Sequence, residues 1–219
     1  MIFALLFATQ LGAEAIDVPL VKVMYSPQFD EVCAGRVESP LDPDAVAELD
    51  GLMPELEAAW RDNGPTLLVA ARDAVGRPFR FQEATARLLT CGAASRSRPL
   101  VINVRPYLQT TGGRRRAALR QFARTVFHEV LHRYVADLIP DHGTPLLRKY
   151  GAEPEEVRDH LHLFAIEEVA YRTTGRERDL ADVKAFESRL VNARLFARGR
   201  AIVGAEGAEA FLAELRDAP

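Results

Sequence analysis

The stretch His128-Glu129-Val130-Leu131-His132 sets two imidazoles four residues apart, with a carboxylate between them. Four residues is close to one helical turn, so on a helix the two rings stand one above the other. Both can then reach a single zinc ion at about 2.0–2.1 Å. Glu129 falls roughly 100° around the helix from His128, beside the ligand pair and next to an open coordination position. There it can serve as a general base, taking a proton from metal-bound water and handing it to a leaving amine. Histidine is scarce in this chain, and all five copies fall between positions 128 and 162. Nitrogen and oxygen donors at this spacing favour zinc, one ion per chain.

Such a centre needs a third ligand, and the sequence offers it from a second helix. Asp159-His160-Leu161-His162 is followed there by Glu167-Glu168-Val169-Ala170. Seven residues nearly complete two turns, so His160, Phe164, Glu167 and Tyr171 share one stripe. His162 lies about 200° around from His160, and the two cannot face one metal. On the shared stripe, one of His160 and Glu167 can bind metal while the other serves substrate or supports a ligand. Glu168 shares a sector with Arg172 and is expected in solvent. Glu167, His162 and His160 all stay open as the third ligand.

Taken together, the H-E-x-x-H helix and the E-x-x-A pattern at Glu167, 35 residues after His132, resemble the gluzincin group of zincin metallopeptidases. The resemblance is confined to these two segments. It implies a zincin-like fold, His128, His132 and Glu167 as metal ligands, and Glu129 as the catalytic base of a zinc hydrolase acting on a peptide or protein. The H-x-H pair departs from that pattern. It is similar to bacterial H-E-x-x-H proteins in which an H-x-H segment follows the active-site helix, which implies a three-histidine site. An alternative of another class is a catalytically inactive zincin-like protein that binds metal or a partner. Three protein ligands leave a position open for catalysis; four make a closed structural site.

The rest of the chain must build the scaffold that positions these groups. It has 219 residues, 48% hydrophobic and 27% charged, enough for one good core and too apolar for general disorder. A net charge of −3 gives no electrostatic drive toward nucleic acid. Residues 1–15 read as a short apolar run followed by the small-residue site Ala13-Glu14-Ala15, a signal peptide with no basic residue before the run. Export would make the mature protein secreted or periplasmic and free of the membrane, since no other apolar run is long enough to cross one. In that setting the two cysteines, Cys33 and Cys91, are expected to pair.

The hydropathy pattern predicts an α+β fold in a single domain, residues 16–219. A small sheet-and-helix lobe over 16–112 should pack on a mainly helical lobe over 113–219 that carries the H-E-x-x-H helix. Val18 to Met24 reads as a strand and Pro27 to Pro43 as loop. One helix is expected from Asp44 to about Trp60 and another from Pro65 to Val75, separated by Asn63-Gly64-Pro65. Phe79 to Leu89 and Leu100 to Val104 read as strands, the latter as a sheet edge that pairs with an extended substrate. Helices should follow over Arg114–Leu138, Pro154–Arg172, Asp179–Arg198 and Gly207–Asp217. Tyr134, Tyr150 and Tyr171 are candidates to stabilise an oxyanion. His142 is expected on a solvated loop, and Arg114 to Arg116 with Arg120 and Arg124 on a solvated basic face.

Overall fold

Leu49, Leu52, Leu56, Trp60, Leu67, Ala71 and Val75 recur at helical spacing, and all seven are buried on one side of a single helix, α2 (Pro43–Val75). The structure is a computed structural model and describes residues 18–140 and 143–218. The leader expected over 1–15 and His142 lie outside the described residues.

The helix begins where Asp42 accepts a hydrogen bond from the Asp44 N–H, and it ends at Gly76, whose φ of 69° is the left-handed conformation of a C-terminal stop. The expected break at Asn63-Gly64-Pro65 is absent, and α2 runs through Pro54 and Pro65. Proline deprives the carbonyl four residues back of its donor. Pro54, Pro65, Asp50 and Arg61 all lie on the exposed face, where water can serve those carbonyls. Gly64 is needed for another reason: a Cβ there would stand 2.5 Å from the Trp60 ring.

The sheet has four strands in the order β1-β2-β4-β3. Strand β1 (Leu20–Tyr25) runs parallel to β2 (Glu83–Leu89), β2 runs parallel to β4 (Leu100–Asn103), and β3 (Arg96–Ser97) closes the far side antiparallel to β4. The expectation that Leu100–Val104 forms the edge is therefore corrected: β4 is interior, and β3 holds the edge. Pro27–Pro43 is also not all loop. Helix α1 (Pro27–Arg36) occupies most of it, and its anchor is polar. The Asp30 carboxylate is wholly buried and accepts hydrogen bonds from the Thr90 and Cys91 N–H groups and the Thr90 hydroxyl. Beside it a Cys33–Cys91 disulfide ties α1 to the end of β2.

After a short 3-10 turn at Arg105–Tyr107, the second lobe is helical: α3 (Gly112–Leu138), α4 (Pro145–Lys149), α5 (Glu155–Thr173), α6 (Glu177–Glu187), α7 (Ala193–Glu206) and α8 (Ala208–Asp217). The expected helix over Asp179–Arg198 is two, broken at residues 188–192. The architecture is α+β, a small mixed sheet with flanking helices packed on a helical lobe. One hydrophobic core crosses both, because α2 packs on α3 and α5. Among the described residues no helix is long and apolar enough to cross a membrane.

The Trp60–Gly64 approach yields a test of why α2 stays continuous. Gly64→Ala should lower stability by about 1–3 kcal/mol through overpacking, although alanine is the better helix former. A urea unfolding curve would measure it, and an unchanged midpoint would contradict it.

Candidate metal centre

Helix α3 is buried on the side carrying Phe122, Val126, Val130 and Tyr134, which fixes its rotation against the core. His128, Glu129 and His132 then point along the flank that meets α5 and a cleft. The His128 and His132 rings lie 4.9 Å apart between centroids. Helix α5 delivers His160 to the same place, its ring centroid 5.3 Å from His128 and 4.6 Å from His132. One nitrogen of each ring falls within 4.8 Å of one nitrogen of each of the others. Among the described residues this is the one cluster of metal-ligating side chains so arranged.

Hydrogen bonds orient two of the three rings. His128 places Nδ1 3.0 Å from Glu167 Oε1, and His160 places Nδ1 2.6 Å from the Glu156 carbonyl oxygen. Both partners are acceptors, so each ring donates from Nδ1 and keeps Nε2 as a lone-pair donor. That is the tautomer a ligand binding metal through Nε2 requires.

Glu167, the third ligand implied by the gluzincin resemblance, is thus placed behind His128. Its side chain is 1% exposed, and its other oxygen lies 2.5 Å from Arg200 Nη2 on α7. Arg200 in turn reaches Glu187 on α6 at 2.6 Å and stacks over the Phe164 ring at 3.8 Å. His162 faces the opposite way. It is buried against Phe211, with Nε2 2.9 Å from Glu214 of α8.

The electrostatics follow from burial and these partners. Burial alone disfavours charge on His128, but the hydrogen bond and charge of Glu167, aided by Glu129 and Glu187, outweigh it and raise the pKa. His132 falls well below the usual histidine value through burial, then the neighbouring His128 and His160. Burial foremost, then His128, holds His160 down at about 3. Burial opposes ionisation of Glu167, yet Arg200 and His128 pull it well below the carboxylate range. Glu129 has no arginine against it. Burial, opposed by His128 and aided by Glu167, pushes it up to about 6.

Glu129 and His128 open onto a cleft of about 420 Å³. One wall is the turn at Pro106 and Tyr107 with Ser95 and Asn103; the other is the α6–α7 region with Phe186 and Phe196. Tyr107 had no signal in the sequence beyond an aromatic after a strand. Its hydroxyl lies 2.7 Å from Thr125 Oγ1, one helical turn before Glu129.

The expected oxyanion candidates stand elsewhere. Tyr134 donates to the Arg77 carbonyl, Tyr150 to Glu206, and the Tyr171 hydroxyl is enclosed without a partner. Nor is the basic run one solvated face, since Arg124 is buried and paired with Asp179 and Asp182. The chain matches no protein-family model, and it has no significant similarity to a curated protein or to a solved structure.

This arrangement separates the three candidate ligands. His160→Ala should abolish stoichiometric zinc binding, and Glu167→Gln should weaken it about 10–100-fold while leaving one equivalent at saturation. His162→Ala should keep zinc affinity and lose stability, because a buried ring that packs on Phe211 and bonds Glu214 Oε2 is removed. Equilibrium dialysis with a competing chelator, beside thermal melting of the metal-free proteins, measures all three.

Proposed function

We propose that this chain is a zinc-dependent hydrolase that cleaves peptide bonds, with one ion held by His128, His132 and His160 and with Glu129 as general base. The observation that carries the reading is the meeting of three imidazoles, two with Nδ1 already engaged, beside a buried carboxylate that opens onto a cleft. Three nitrogen ligands leave a position for water, as a catalytic site requires and a closed structural site does not. No fourth histidine, cysteine or carboxylate joins the cluster among the described residues. In this reading Glu167 exchanges the ligand role implied by the gluzincin resemblance for that of an acceptor orienting His128.

Bound zinc would supply a Lewis acid that polarises the scissile carbonyl and makes water acidic near neutral pH. The chain's own residues do the rest. Glu129 takes the proton of the attacking water and delivers it to the leaving amine. Glu167 and the Glu156 carbonyl hold two imidazoles at fixed tilt, so the ligand set needs little reorganisation. The Cys33–Cys91 disulfide supports a secreted or periplasmic site of action.

Glu129→Gln should keep one equivalent of zinc and lose turnover of a peptide-library substrate by about a hundredfold or more. Parallel metal analysis and peptidase assay test this. Full zinc with turnover intact would contradict the base assignment.

A further inference from the structure

Ser95 and Asn103, at one end of the β3–β4 hairpin, line the metal cleft; Ser97 to Leu100, at its other end, line a second, open hollow of about 480 Å³. This hollow lies over a gap in the sheet. Strand β4 meets β2 only from Arg87 onward, where Arg87, Leu88 and Leu89 stand opposite Val101, Ile102 and Asn103. The first half of β2 is paired with β1 alone. In a parallel ladder a residue turns its N–H and C=O to the same side. Leu20 N–H donates to the Gln82 carbonyl, so even-numbered residues of β2 face β1; Val104 N–H donates to the Leu89 carbonyl, so odd-numbered ones face β4. The Thr85 N–H and C=O therefore point into the gap, with no strand beside them among the described residues.

Three arginines surround this open edge, and one carboxylate faces them. Arg87 comes from β2, Arg98 from the turn between β3 and β4, and Arg133 from α3, which also carries the acid, Asp137. Asp137 is shared: Arg98 Nη2 lies 2.5 Å from one oxygen and Arg133 Nε 3.8 Å from the other, while Arg80 donates to its backbone carbonyl. The Arg133 guanidinium is held over the Phe81 ring, 3.8 Å from its centroid. Arg87 lies over Phe29 of α1, and among the described residues no carboxylate pairs with it.

Excess positive charge beside unpaired main-chain groups suits an extended peptide with acidic side chains. Strand addition satisfies the backbone edge, and guanidinium forks take the carboxylates. Side chains of an extended chain alternate between the faces of a sheet. Adjacent acidic residues would thus reach Arg87 on the α1 side and Arg98 with Arg133 on the α3 side. A phosphate or a lipid headgroup would answer the arginines and leave the strand edge open.

We propose that this hollow binds an extended acidic segment of another protein, which adds a short strand to the free edge of β2 between Arg87, Arg98 and Arg133. The site is separate from the histidine cluster and does not rest on the zinc-hydrolase reading.

Calorimetric titration with a short acetylated and amidated peptide carrying two adjacent glutamates tests it, once with zinc and once with chelator. Affinity should be the same in both and should fall about tenfold between about 0.05 and 0.5 M salt. Replacing the glutamates by glutamines, or methylating the peptide's backbone nitrogens, should each weaken binding by about tenfold or more. Arg98→Ala, at an exposed turn, should weaken it several-fold, and Asp137→Asn, which removes the competing carboxylate, should strengthen it. No binding at millimolar peptide would overturn the site, as would an Arg98→Ala protein that binds as the wild type does. A glutamine or N-methylated peptide that binds equally well would overturn it too. Binding that requires zinc would place the peptide by the histidines instead, and displacement by equimolar inorganic phosphate would make the hollow a plain anion site; either result contradicts the proposal.

Discussion

A carboxylate with 1% of its side chain exposed cannot stay ionised without compensation, and Glu167 is compensated from two sides. One oxygen takes the His128 Nδ1–H and the other takes Arg200, which is itself shared with Glu187. That chain of contacts passes through α3, α5, α7 and α6, so four of the six helices of the second lobe meet at one buried charge network. Removing any member leaves the next one stranded in the interior. Its position makes the orientation of His128 a property of the whole lobe and not of one rotamer. Close contact reinforces it: a Cβ on Gly199, next to Arg200, would stand 2.8 Å from the Phe164 ring over which Arg200 stacks.

The same network separates the proposed ligand from its proposed support. His160 and Glu167 sit two turns apart on one face of α5, and both look toward α3. What divides their roles is depth. Glu167 lies at the bottom of the helix–helix contact, where an arginine and an imidazole N–H already consume its oxygens. His160 stands nearer the surface, against Phe196 and the other two rings, with its Nδ1 spent on its own helix. Glu129 has no arginine beside it, and burial, only partly offset by His128, is what raises its proton affinity. Three carboxylates around one cleft, Glu129, Glu167 and Glu187, thus acquire different jobs from their surroundings alone.

Much of this was legible in the sequence. Apolar spacing located the helix of His128 and His132, the helix ends expected at Val75 and Arg172 fall within one residue of those observed, and a modest sheet beside helices matches the α+β architecture. The failures have physical causes. Asn63-Gly64-Pro65 looked like a break because periodicity does not reveal that Pro65 faces water. Helix α1 was invisible since its anchor is the buried, polar Asp30. The helical stripe grouped His160 with Glu167 and set His162 apart, but it could not rank the first two. That ranking depends on Arg200, which is 33 residues farther along the chain and unremarkable on its own. Arg124 misled in the same way: its partners Asp179 and Asp182 come from α6, and a run of arginines in sequence says nothing of them.

The central claim is the identity of the atoms around the metal, and X-ray absorption at the zinc edge of the loaded protein measures that most directly. The account predicts four light-atom ligands at about 2.0–2.1 Å, three of them imidazoles by their multiple-scattering signature and the fourth an oxygen. The imidazole count should fall to two in His160→Ala and stay at three in Glu167→Gln. A wild-type shell of two imidazoles and two oxygens, unchanged in His160→Ala and altered in Glu167→Gln, would put Glu167 on the metal and contradict it.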